Sequence, residues 1–101
     1  MSKEQTLYLE IGHAIKGAEE SQMFGKPCFK INGKAFTCFF ENCMVFKLQG
    51  KFHETALGLK GSKLFDPSGT GRAMKEWVQV PFAHNDQWKE FANAAFAYVK
   101  G

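Results

Sequence analysis

Apolar residues recur at helical spacing near the start of the chain. Leu7, Ile11, Ala14, Ile15 and Ala18 fall on one stripe, and the spacing predicts a helix over Glu4–Glu20. Gly12 and Gly17 weaken that helix without interrupting the stripe. The segment SQMFGKP follows, in which Gly25 and Pro27 end any helix. In CFKINGKAF, two strand-like runs flank Asn32-Gly33, a pair that tolerates the positive φ of a tight hairpin turn. A second hairpin is read in TCFFENCMVFKL, with Glu41-Asn42 at its tip.

Alternation of side chains fixes an expected register. Phe29 lies opposite Phe36, Ile31 opposite Lys34, Phe40 opposite Cys43, Cys38 opposite Val45 and Phe36 opposite Lys47. These residues share one face. The opposite face carries Cys28, Thr37, Phe39, Met44, Phe46 and Leu48. Both faces of the central hairpin are therefore apolar. A short chain has few elements to cover both, so the surplus face, with Phe39, Met44 and Phe46, is expected to be a partner surface or pocket.

Farther on, Phe52, Ala56 and Leu59 fit a short helix over Lys51–Leu59 that Gly61 ends. SKLF reads as a short strand and DPSGTG as a loop. Ala73–Val80 is the last strand, with Met74, Val78 and Val80 on one side and Lys75, Trp77 and Gln79 on the other, and Pro81 closes it. Trp88, Phe91, Ala92, Ala95, Phe96 and Val99 make the stripe of a final helix, for which Asn85 or Asp86 is a natural N-cap. The order α-β-β-β-α-β-β-α, with hairpins instead of βαβ alternation, predicts an α+β fold. It has two layers: a mainly antiparallel sheet of about five strands, and helices packed on it. A chain of 101 residues is expected to form one domain spanning 1–101.

Composition sharpens this picture. The 11 phenylalanines are enough to anchor a core in a chain too short to bury much surface. A net charge of +3 is weak, and of 13 basic residues all but Arg72 are lysine, scattered among the acids. Base readers favour the arginine fork, so the charge argues against direct nucleic-acid binding. Cys28, Cys38 and Cys43 make an odd count with no CxxC and no secretory leader, which predicts reduced thiols in a cytoplasmic protein. No apolar run approaches the roughly 20 residues of a membrane span.

Little in the sequence points to chemistry. His53-Glu54 opens like HExxH, but position 57 is leucine. His13, His53 and His84 lie on separate elements without ligand spacing. There is no GxSxG and no Walker A pattern, and the pair Glu19-Glu20 reads as a solvated helix end. The chain is read as a non-enzyme that needs neither metal nor cofactor. Two places remain as binding candidates. Arg72 and Lys75 are able to hold an anionic group beside Trp77, with backbone N–H groups offered by the glycines of SGTG. Met23-Phe24-Gly25 sits between the first helix and the first strand. There Gly25 supplies an unusual backbone angle, and Met23 and Phe24 either plug the core or line a pocket mouth.

Taken together, Met23-Phe24-Gly25, the NGK hairpin at Asn32, Gly33 and Lys34, Phe65-Asp66-Pro67, and GRAMKEWVQVP from Gly71 to Pro81 resemble the TfoX N-terminal-domain family. The likeness runs from about Ser21 to Val99, and the first helix is compatible with it. The resemblance implies a two-layer α+β domain that occurs alone or joined to a second, helical domain in regulators of competence genes. A stand-alone member is the expectation here, with an accessory or regulatory role exercised by binding. Three functions follow in order: a protein-binding module, self-association into a homodimer included; a small-ligand or anion-binding protein using Arg72, Lys75 and Trp77; and a nucleic-acid-associated transcription regulator.

Overall fold

The computed structural model describes residues 2–101. Helix α1 (Lys3–Ala14) starts at Ser2, whose side-chain oxygen accepts the Gln5 N–H at 3.1 Å. It stops well short of Glu20, because Ile15 is extended and Gly17 takes φ +97°. The residues beyond are not a helix end. They form strand β1 (Glu19–Met23), which pairs antiparallel with β2 (Lys26–Ile31). Strands β3 (Lys34–Phe40) and β4 (Cys43–Lys47) continue the meander. All three hairpins turn through two residues of positive φ: Phe24-Gly25, Asn32-Gly33 and Glu41-Asn42. That signature belongs to the turn type whose twist matches paired strands.

Helix α2 (Gly50–Gly58), strand β5 (Lys63–Phe65) and strand β6 (Met74–Val80) follow. A single 3₁₀ turn at Phe82–His84 leads into α3 (Asn85–Lys100). Asn85 lies inside this helix, not before it, and its amide donates back to the Phe82 carbonyl. The sheet has six antiparallel strands in the order β1-β2-β3-β4-β6-β5. The fold is therefore α+β, with one strand more than the periodicity predicted.

The expected register holds for Ile31–Lys34, Cys38–Val45 and Phe40–Cys43. It fails at Phe29, which lies opposite Thr37 because Phe36 is an extra, bulged residue in β3. The bulge redistributes the two faces. Phe29, Ile31, Phe36, Met44, Phe46, Val78 and Val80 all pack in one core with Tyr8 and Ile11 of α1, Ala56 of α2, and Trp88, Phe91, Ala92 and Ala95 of α3. Cys28 joins Cys38 and Val45 on the other side, with Phe65 and Trp77. Met74 packs on this second side too, contrary to its expected place with Val78. A register irregularity between Leu64 and Phe65 shifts the start of β6.

Aromatic contacts knit the helix layer to the sheet: Tyr8 to Phe29 and Phe39, Phe36 to Phe96, and Phe46 to Phe91, with ring centroids 5.2–5.7 Å apart. Helix α1 comes closest at Gly12, where a Cβ would stand 2.0 Å from the Phe29 ring. Only a residue without a side chain lets the backbone lie on that ring. Two effects therefore oppose each other in Gly12→Ala. Helix propensity favours alanine by about 1 kcal/mol, while overpacking costs about 1–3 kcal/mol and more when a rigid ring must move. Overpacking wins at this contact. Urea unfolding is expected to show Gly12→Ala less stable by about 1–2 kcal/mol net.

Candidate functional site

The helix layer settles what covers the surplus face. Met44 and Phe46 are fully buried beneath the chain's own helices, and Phe39 is half-buried against Tyr8. The expectation that these three present a docking face is therefore corrected. Three amphipathic helices on one side of a six-stranded sheet leave no surplus there.

The helix-free side is different. Its buried patch is Cys28, Cys38, Val45, Phe65 and Trp77, rimmed by Met23, Ala35, Phe40 and Met74. Strand pairing lines up one row across the whole sheet: Ser21, Cys28, Cys38, Val45, Gln79, Lys63. The row is closed over by large side chains of the sheet itself. Phe65 meets Phe40 edge-on at 5.3 Å and Trp77 at 6.4 Å. The loop between β5 and β6 adds to the cover, because Asp66, Pro67, Ser68, Gly69 and Gly71 line one hollow together with Phe40 and Glu41 of the β3–β4 hairpin.

Asp66 holds that loop in shape. Its carboxylate accepts the N–H of Gly71 at 2.8 Å, the N–H of Gly69 at 3.0 Å and the Ser68 hydroxyl at 3.0 Å. These donors, the Gly71 N–H foremost, keep the carboxyl below its ordinary value near 3.8 although it stays exposed. This changes the anion reading of the loop. The glycine N–H groups expected to meet an external anion are already spent on Asp66.

The other candidates separate. Trp77 is only 6% exposed, so it forms part of the covered patch instead of standing beside a ligand. Lys75 is exposed, and its backbone carbonyl receives His53 Nε2 at 2.8 Å. Met23 packs half-buried on the cysteine-containing patch. Phe24 does not plug the core. It is 64% exposed at the tip of the β1–β2 hairpin, with φ +54° beside Gly25 at +74°. Phe24, Pro67, Ser68, Arg72 and Met74 line a shallow groove of about 350 Å³. The structure thus joins Phe24 to Arg72, which the sequence placed in two separate candidates. Asn32 and Gly33 serve their hairpin, and Pro81 ends β6, its carbonyl accepting the His84 N–H at 3.0 Å.

Burial pushes the thiols of Cys28, Cys38 and Cys43 up, Cys38 most, which keeps them protonated and unreactive near neutrality. Among the described residues no three His, Cys, Asp or Glu side chains gather as a metal site, and no helix is long and apolar enough to cross a membrane.

Gln79 is the residue that sequence reasoning missed. It is 5% exposed, faces the helix-free side between Val45 and Lys63, and lines the hollow of about 510 Å³ beneath the Asp66 loop. A glutamine alternating with Lys75 and Trp77 along a strand reads as surface. Only strand order shows that it lies in the interior.

No protein-family model matches the chain, and no curated protein or solved structure matches it at a significant level.

The Asp66 geometry carries a pH signature. A carboxyl whose folded value lies below its unfolded one lends its contribution in full above the unfolded value, and loses it as pH falls through the folded value. Amide resonances of Gly69 and Gly71 are expected to titrate together in acid, with a midpoint below the ordinary carboxyl value of 3.8. Asp66→Asn removes that titration, as a two-dimensional ¹H–¹⁵N pH series would show.

Proposed function

We propose that the chain is a non-enzymatic accessory module that docks on another protein through the tip of the β1–β2 hairpin. Phe24 carries this reading. A bulky residue in the left-handed region costs about 1–2 kcal/mol, and glycine or asparagine there costs less. Internal packing does not repay this, since most of the ring stands in water. Backbone strain at an exposed aromatic is what a contact residue shows when its packing partner lies on another molecule.

The surroundings support it. Pro67 and Met74 extend an apolar floor, and Arg72 stands at the edge. Aromatic residues, methionine and arginine are enriched at protein interfaces. The segments that carry the resemblance to the TfoX N-terminal-domain family, Met23-Phe24-Gly25 and Gly71-Arg72-Ala73-Met74, meet at this groove. That supports a shared, regulatory use. Charge keeps nucleic acid last among the readings, since the single arginine edges an apolar groove.

Phe24→Asn separates function from fold. Stability is expected to stay level or rise by up to about 1 kcal/mol, as asparagine accepts the left-handed turn, which lifts Tm by no more than about 4–8 °C. In the native cell, a photo-crosslinking residue at Gln22 is expected to trap one discrete adduct, and Phe24→Asn to abolish it. An adduct of twice the chain's mass identifies the partner as a second copy. A hairpin tip that captures nothing, or captures equally well with Phe24→Asn, refutes the reading.

A further inference from the structure

We propose that the hollow between the Asp66 loop and the helix-free face of the sheet is a binding site for a small planar molecule with a hydrogen-bonding edge, of the nucleobase and nucleoside class. This site shares Pro67 and Ser68 of the loop with the Phe24 groove, but its recognition residues, Gln79 and Phe40, do not line that groove, so the proposal does not rest on the docking reading.

Gln79 is the first observation. Its side chain is buried, and among the described residues the one partner of its amide nitrogen is the Cys43 sulfur at 3.7 Å, a weak acceptor. It nonetheless lines a hollow instead of being sealed in apolar packing. The amide offers a donor and an acceptor side by side, the arrangement that pairs with the edge of a base.

The walls are the second observation. Phe40 contributes an aromatic ring, which Phe65 meets edge-on at 5.3 Å and over which the Lys26 ammonium lies at 5.4 Å. A single aromatic residue in the lining offers a flat heterocycle one surface for contact. Lys63, directly opposite Gln79 on β5, brings a positive charge, while Glu41 of the β3–β4 turn and Asp66 of the loop bring negative ones. One lysine against two carboxylates suits a neutral polar ligand better than a polyanion. The roof is preformed, because Asp66 ties the loop through its own N–H groups. The volume of about 510 Å³ falls in the range of small-molecule sites.

Uniformly ¹⁵N-labelled protein titrated separately with adenosine, guanosine, cytidine and uridine to millimolar concentration tests the proposal. At least one nucleoside is expected to shift the backbone amides of Phe40, Lys63 and Gln79 together with the Gln79 side-chain NH₂. Gln79→Met, which keeps the side chain's length without its amide, is expected to weaken that binding about tenfold or more while retaining a dispersed spectrum. If Gln79→Met does not fold, Phe40→Leu serves as the second variant, with the same loss expected. Shifts confined to other surfaces, no shifts with any of the four, or full affinity in the folded variant would overturn the proposal. Phe24→Asn is expected to bind the nucleoside as the parent does, so failure here leaves the docking reading standing, and the converse holds too.

Discussion

The contacts of the Asp66 carboxylate with the N–H groups of Gly69 and Gly71 turn a polar, glycine-rich connection into a wall. Three helices occupy one side of the sheet, and none is left for the other. Side chains from β3, β5 and β6 shield the buried row, and the loop completes the cover. Because an internal carboxylate fixes the loop, both the hollow over Gln79 and the groove beside Phe24 have defined edges. A helix here would have sealed this side, while an untethered loop would have left it unshaped.

The two sides of the sheet also differ in how each buried group is satisfied. On the helix side, rings pack on rings and Thr37 gives its hydroxyl to the Val45 carbonyl at 2.7 Å, while Tyr8 Oη and Trp88 Nε1 are buried there without a hydrogen-bond partner among the described residues. On the loop side, an amide rests against a thiol and three cysteines are held protonated by burial. Both sides thus hold polar groups that packing leaves unpaired or weakly paired, and what sets the loop side apart is that its amide lines a hollow.

Legibility followed physical signal strength. Asn32-Gly33 and Glu41-Asn42 were readable because two-residue turns demand positive φ, and these residues tolerate it. The β3–β4 register was readable because alternation runs unbroken from Phe40 back to Cys38. The bulge at Phe36 was silent, since an extra apolar residue in an apolar run leaves no mark on the pattern. Strand β1 was also silent. An edge strand reading EESQM, wet on most of its surface, has no period of two, and the nearby alanine and isoleucine imitated a helix. Of the candidate sites, the exposure of Phe24 and its approach to Arg72 depend on how the loop crosses the sheet. No local pattern encodes that.

Strand order bears on how the molecule assembles. The first four strands form a meander closed by two-residue turns, so each pairing is made between near neighbours along the chain, at small loop-closure entropy. Strand β6 instead inserts between β4 and β5, and β5 has no other neighbour. The meander's pairings therefore close at small entropic cost, and the pairing of β6 with β4 requires a longer closure. The loop that walls the hollow is thus carried by the strand whose pairing with β4 spans the greatest separation along the chain.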